Sequence, residues 1–523
     1  MKTRLNRRLF LALSAISASL ILGSKWLEPA LAIFTSGQSD AVQSGDVTDT
    51  SAVIWARNNG ERNARLVVKL SQSPNFQGSV QIIRGSEVSI ATDYTGKIDI
   101  VGLRPNQTYY YRVFWEQGLF RIRPGGTGSF RTAPAAVQPH PVRFVWGADL
   151  AGQGWGRNPN LKITAYDGDV IQGGYVIFDV MRKLKPDFAI FAGDIIYADN
   201  EIPLTKEIPA EVGGGTWVNS PAKNFKAVTL EEFRENWKYN LGDEKFRRFL
   251  AETPIYSQWD DHETVNNWYP GEILTEEPYN GLSADVLAER AKQALFEYNP
   301  IRGKQIYRKY QYGKHIDLFL LDERSYRGPN PENSNPNGIE MLGQEQFEWL
   351  KQNLKASQAT WKVISSHDPL SIVTGGTSDR DAWGQGLPEV LGREVQLSKL
   401  LKFIKDEGIK NIVVITADVH YPAAISYEPE RAVFQDFNPF WEFVIGPIHA
   451  GAFGPNELDP SFGSKYEFIS APGTETPQLP QNVPPPNFHS FGSAEVNRQG
   501  QLRVKIHDIT GKVLYEKMLE PEK

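Results

Sequence analysis

Five short segments rich in acids, histidine or tyrosine each follow a short apolar run. Their shared placement constrains the fold more than any other feature of the chain. They are Arg143–Asp149 (RFVWGAD), Phe188–Tyr197 (FAIFAGDIIY), Ser257–Glu263 (SQWDDHE), Val363–Asp368 (VISSHD) and Ile412–His420 (IVVITADVH). A short buried strand delivers its next residues to one edge of a sheet, and in open α/β sheets that edge is where ligands bind. Asp, His and Tyr delivered there five times over point to a centre for two metal ions, and so to hydrolysis of a phosphate ester.

The chain has 523 residues, too many for one ordinary core, so two domains are expected. A formal net charge of -6 argues against a nucleic-acid-binding module. There is no cysteine, which excludes a disulfide framework, a thiolate nucleophile and a Cys-ligated zinc site. Any metal must be held by oxygen and imidazole, which suits Ca, Mg, Mn, Fe or Zn. Three of the eight histidines fall in the segments above, a mildly informative concentration.

The N-terminus predicts where the protein works. Arg7-Arg8-Leu9-Phe10-Leu11 precedes a weakly polar run from Leu11 to Gly23, and Ala30-Leu31-Ala32 offers a small-x-small cleavage site. This reads as a twin-arginine signal peptide over residues 1–32, cut after Ala32. Export by the twin-arginine machinery would carry the folded protein to the periplasm, the cell surface or the medium. No later segment is long and apolar enough to span a membrane.

Residues 34–134 alternate in β-branched and aromatic runs punctuated by Gly, Pro and Asn, with roughly seven strands, as in a β-sandwich. Val101–Tyr111 (VGLRPNQTYYY) resembles the stretch of fibronectin type III-like domains in which a tyrosine makes a corner hydrogen bond. Ala133–Pro141 reads as a linker. From residue 142 to 519 the texture changes to αβ alternation. Helices are predicted over Tyr175–Leu184, from a capping box at Thr229-Leu230-Glu231-Glu232 through Leu250, and over Ala284–Tyr298, Gly343–Leu354 and Glu394–Ile404. A hairpin around Thr510-Gly511 closes the chain, and Pro477–Pro486 reads as a surface loop.

Two ions about 3.5–4 Å apart need one shared carboxylate and further hard ligands on each side. Asp194, just after an apolar run, is the natural bridge. Tyr197, three residues on, can reach the same ion as a phenolate, a hard ligand that favours ferric iron. Four consecutive ionisable residues in Trp259-Asp260-Asp261-His262-Glu263 are costly to bury unless they bind something. Asp418 and His420 end a β-branched run, and His367 sits in Ser365-Ser366-His367-Asp368-Pro369.

In this order, Gly193-Asp194-x-x-Tyr197, Trp259–Glu263, Ser366–Pro369 and Thr416–Tyr421 resemble the alkaline phosphatase D (PhoD-like) family of calcineurin-like metallophosphoesterases. Leu321–Arg327 and Phe440–Pro447 resemble it too, and the likeness takes in nearly the whole chain. It implies an α/β fold, a metallophosphoesterase-type αββα sandwich preceded by the fibronectin type III-like β-sandwich. It implies that Asp149, Asp194, Tyr197 and His420 surround one ion, iron(III) in family members. Asp194, Asp261, His367 and Asp418 would surround a second, calcium in family members. His262 stands at the place of the acid that serves the leaving group. Family members commonly put a cysteine on the iron near the end of the first strand, and here Asp149 takes that place. Such an oxygen and nitrogen set also suits manganese, magnesium or zinc. Family members often close a helix over the site, whereas this chain ends in a strand, so a more open pocket is expected.

The expected protein is thus an exported, monomeric phosphoesterase that splits phosphate monoesters, diesters or both with metal-activated hydroxide, for phosphate acquisition. A second reading is a phosphodiesterase or phospholipase D-like enzyme acting on lipid or cell-wall diesters. A third is a non-catalytic surface-polymer binding protein with a structural metal site. His262 disfavours the third, because a structural site needs no acid beside it.

Overall fold

The computed structural model describes residues 40–118, 121–474 and 488–522. The predicted signal over residues 1–32 and the predicted surface loop over residues 477–486 lie outside them. Among the described residues no helix is long and apolar enough to cross a membrane.

Seven strands occupy residues 42–131. Val42–Gly45, Ser51–Arg57 and Thr95–Val101 form one layer, and Val80–Val88, Ala64–Ser71, Thr108–Gln117 and Arg121–Arg131 the other, in those orders. Alternation explains the packing. Along Thr108–Gln117, Tyr109, Tyr111, Val113 and Trp115 are buried between the layers while their neighbours face outward. The Tyr109 hydroxyl accepts the Arg104 N–H at 2.9 Å, the corner bond expected of a fibronectin type III-like sandwich.

The rest of the chain forms two mixed sheets laid face to face. The first carries the parallel strands Val142–Gly147, Phe188–Phe191 and Ile255–Ser257, flanked by the antiparallel strands Ser490–Val496, Leu502–Asp508 and Val513–Leu519. The second carries the parallel strands Ile316–Leu320, Trp361–Ser365, Ile412–Thr416 and Phe440–Val444. Between the sheets lies an apolar layer that includes Phe144, Phe188, Tyr256, Val363 and Phe443. Phe144 and Phe188 stack at 5.0 Å, an arrangement that contributes about 0.5–1.5 kcal/mol beyond burial. Helices Ile177–Lys183, Leu230–Leu241, Glu244–Glu252 and Ala284–Tyr298 bury their apolar faces in one outer core. Gly343–Ala356 and Glu394–Asp406 do so in the other. The order of layers is αββα.

One helix prediction needs correcting. The capping box of Thr229 and Glu232 is present, but the helix it opens ends at Leu241. The Asp243 side chain accepts the Phe246 N–H at 2.9 Å and starts a second helix there. An Asp that caps its own downstream turn competes with helix continuation.

The sandwich is joined to the first of these two sheets by hydrogen bonds. Gly45 pairs in parallel with Ile255, so one nine-stranded sheet runs through both parts of the chain. A Cβ at Gly45 would lie 2.5 Å from the Ile255 carbonyl oxygen, so only glycine permits this approach. Next to this seam the sandwich caps a helix. Trp55 Nε1 donates to the Glu297 carbonyl at 2.6 Å, Gln43 Nε2 to that of Tyr298 at 3.0 Å, and Lys97 Nζ to that of Phe296 at 2.9 Å. These are last-turn carbonyls of Ala284–Tyr298, which have no partner within the helix.

Candidate metal centre

All five segments singled out from the sequence lie at the C-terminal ends of parallel strands in the two facing sheets, so they meet. Backbone bonds lace them together. Leu150 N–H donates to the Asp194 carbonyl at 2.7 Å, Ala198 N–H to that of His262 at 2.8 Å, and Ala417 N–H to that of His367 at 2.9 Å. Ala148, Ala192 and Ala417 pack against one another under the loops, where larger side chains would hold the strand ends apart.

The backbone is strained where the acids are. Asp149 (φ 62), Asp194 (φ 52), Asp418 (φ 69) and His420 (φ 57) all adopt the left-handed conformation. Asp and His enter that region more readily than most residues, yet strain there costs on the order of 1–3 kcal/mol per position and gathers at functional sites. Such tight turns keep each side chain within four residues of its strand.

Two overlapping sets of ligand atoms result. Asp149, Asp194 and His420 bring theirs within 4.8 Å of one another, and so do Asp194, Asp261 and His262. Asp194 belongs to both, which is the geometry a bridging carboxylate needs. The Tyr197 hydroxyl lies 2.6 Å from His420 Nε2 at the first set. His420 Nδ1 lies 2.6 Å from the Gly451 carbonyl, which takes its N–H and leaves the Nε2 lone pair facing Tyr197. Both oxygens of Asp149 are buried without a hydrogen-bond partner, a costly state that a cation would relieve. Asp418 joins Asp260 and Asp261 in a neighbouring set. His367 stands further along the same basin. Its Nδ1 faces Asp260 at 2.9 Å and Asp368 at 3.2 Å, and it shares no set with Asp194 or Asp261.

Charge divides the acids into two kinds. Burial, and then the neighbouring carboxylates, push Asp149, Asp194 and Asp418 well above the usual carboxylate range. Burial raises Asp261 as well, against the pull of His262. Asp260 and Asp368 behave oppositely. Although burial would raise them, Arg324 and His367 hold Asp260 low, and Arg327 and Arg324 hold Asp368 well below its ordinary value. The raised acids are the four carboxylates picked out from the sequence.

His262, the third member of the second set, sits in a cage. Its Nδ1 lies 2.8 Å from Asp199, and its ring stacks on Tyr197 at 4.1 Å. Burial pulls its pKa down, but Asp199 and Asp261 outweigh that and lift it to about 10. Glu263 organises the backbone, accepting N–H bonds from Asp194 at 2.9 Å, Ile195 at 2.8 Å and Asp260 at 2.8 Å.

Sequence reasoning did not assign roles to Asp199, Asp260, Glu263, Arg324, Asp368 or Asp381. Five of these adjoin or lie within segments it had marked, so nearness to a strand end was an available signal. Asp381 follows no apolar run, and nothing local announces it.

Facing mixed sheets with an acid- and histidine-lined basin at their parallel strand ends define a metallophosphoesterase-type fold. The solved structure of PhoD matches it with a TM-score of 0.65 and 21% identity, covering 92% of both chains. A purple acid phosphatase from yellow lupin (Lupinus luteus) seeds matches with a TM-score of 0.54 and 11% identity, over 92% of this chain and 73% of that one. Residues 144–506 match the PhoD-like phosphatase model and residues 31–134 the model of the PhoD-like phosphatase N-terminal domain, so the chain belongs to the PhoD-like phosphatase family. Alkaline phosphatase D of Bacillus subtilis (strain 168) is 28% identical over 454 residues, 80% of this chain and 70% of that protein. The chain is therefore a phosphoric ester hydrolase.

Proposed function

We propose that the chain is an exported, metal-dependent phosphoesterase of the alkaline phosphatase D kind, hydrolysing phosphate monoesters, diesters or both for phosphate acquisition. The observation that carries this reading is Asp194, shared by two ligand sets beside the unpartnered oxygens of Asp149. Asp149, Asp194, Tyr197 and His420 would hold one ion, iron(III) by preference. Asp194, Asp261 and Asp418 would hold the other, calcium by preference, with His367 as the outlying member of that set. Bound ions supply Lewis-acid charge for the phosphoryl oxygens and lower the pKa of a water.

The chain's own residues do the rest. His262, lifted to about 10, carries a proton at neutral and mildly alkaline pH and can pass it to the leaving oxygen. Asp199 holds that ring by Nδ1, and Glu263 fixes the Asp194 and Asp260 turns against each other. Residues 1–32 act as the twin-arginine signal, residues 34–134 as the sandwich domain and residues 142–519 as the catalytic domain.

The test is an assay of the purified mature chain on a monoester and on a diester, with and without chelator, alongside elemental analysis. Chelator-sensitive turnover with two ions per chain is expected. Undiminished turnover in metal-stripped protein would overturn the reading.

A further inference from the structure

Gln153 joins the loop of Asp149 to two other segments that serve the same ligand set. Its backbone N–H donates to Asn200 Oδ1 at 3.0 Å, and its carbonyl accepts Lys206 Nζ. The Asn200 N–H in turn donates to the Tyr197 carbonyl at 3.3 Å. Lys206 comes from the strand Thr205–Glu207 and lies over the Trp155 ring at 4.1 Å. The side chain of Gln153 serves a different loop. Its Oε1 accepts the Gly451 N–H at 3.0 Å, and Gly451 is the residue whose carbonyl takes the His420 Nδ1–H. None of these bonds reaches the loops of Asp261 or Asp418.

The backbone marks the same residue independently. Gln153 adopts φ 51 and ψ 34, the left-handed region that glutamine rarely enters. Such a conformation persists only where its surroundings over-determine it, and it gathers at functional sites. Gly451 has no side chain to restrict its own dihedrals, so the bond to its N–H helps to aim its carbonyl.

We propose that Gln153 is a positioning residue for the first ion. Its Oε1 fixes Gly451, Gly451 fixes the His420 ring, and the Nε2 lone pair is kept on the place shared with Asp149 and Asp194. The proposal rests on reading the basin as a metal centre. The partner that orients a ligand imidazole from behind governs metal affinity by about 10–100-fold. Here that partner is a backbone carbonyl, so its aim depends on the side chain that holds the glycine.

The test titrates Mn2+ into metal-free protein by calorimetry, comparing the unmutated chain with Gln153→Gly and Gln153→Glu, and follows thermal unfolding without metal. Gln153→Gly removes the acceptor oxygen yet suits the left-handed backbone, so its unfolding midpoint should not fall. One of its two Mn2+ sites should weaken about 10–100-fold while the other holds. Gln153→Glu keeps an acceptor oxygen and should bind as the unmutated chain does. In a His420→Ala background, Gln153→Gly should add no further loss, because the same link is already cut.

Unchanged affinity in Gln153→Gly overturns the proposal. So does equal weakening of both sites, a Gln153→Glu chain as weak as Gln153→Gly, or a full further loss in the His420→Ala background. A Gln153→Gly chain with a lowered midpoint, or one that fails to fold, also overturns it, since Gln153 then supports the fold at large. An unmutated chain that binds no Mn2+ would sink the metal-centre reading itself, whereas two intact sites in both chains sink only the role of Gln153.

Discussion

His262 Nδ1 lies 2.8 Å from a carboxylate oxygen of Asp199, and this pair sets both the charge and the aim of the imidazole beside Asp261. Asp199 is itself fixed, since its other oxygen accepts the Asn266 N–H at 2.9 Å. The ring is therefore held by a partner that does not belong to either ligand set.

Asp199→Asn removes the largest upward influence on His262, whose pKa stands at about 10 although burial works to lower it. Because the folded pKa is raised, the protonated ring persists below that value and is lost as pH rises through it. The alkaline limb of kcat should move down by about 1–3 units in the variant. An unmoved limb with intact metal content assigns the limb to another group.

His262→Ala should leave metal bound and cost about 10²–10⁴-fold in kcat on alkyl phosphates. The loss should shrink on nitrophenyl esters, whose leaving group needs no proton. Equal losses on both substrates would leave His262 only a phosphate-binding role.

Asp194→Asn should weaken both ions together, since the residue belongs to both ligand sets. Activity should fall by several orders of magnitude while the circular dichroism spectrum is kept. Near-normal metal content in the variant would remove Asp194 from the bridge.

Tyr197 gives a visible test of metal identity. A phenolate on iron(III) absorbs visible light, so protein purified after export should be coloured. Tyr197→Phe should lose the colour and keep its calcium. Colourless, active, iron-free protein would exclude iron and leave the need for two Lewis acids standing.

Lys97, wedged between sandwich and helix end, is depressed by burial from 10.5 to about 8. Between those values the unfolded chain binds more protons than the folded one, so stability should rise with pH over that window. Below pH 8 both states are protonated and the term is flat. Thermal unfolding from pH 7 to 10 should show the rise, and Lys97→Met should abolish it.

Much of this was legible before folding because strand, turn and acid are local events. Ala284–Tyr298 follows from its apolar spacing and from Ser283, whose side chain caps it. Asp149, Asp194 and Asp418 each follow an apolar run by a residue or three, the length of a left-handed turn. What stayed hidden depends on contacts across the chain. Asp381 meets Arg324 over 57 residues of separation, and Asp199 meets His262 over 63. The break between Leu241 and Glu244 escaped notice because apolar spacing continues across it, and only the Asp243 side chain reveals the stop.

The pairing of Gly45 with Ile255 also bears on which sheet margin the molecule exposes. Without Val42–Gly45, the strand Ile255–Ser257 would lose its neighbour at Ile255 and stand as the open margin of the sheet, a template for recruiting other chains. The sandwich is the guard on that margin. Cutting it away would therefore not release a free catalytic half. The remainder would be a sticky one, with the Trp259–Glu263 loop hanging from an open strand.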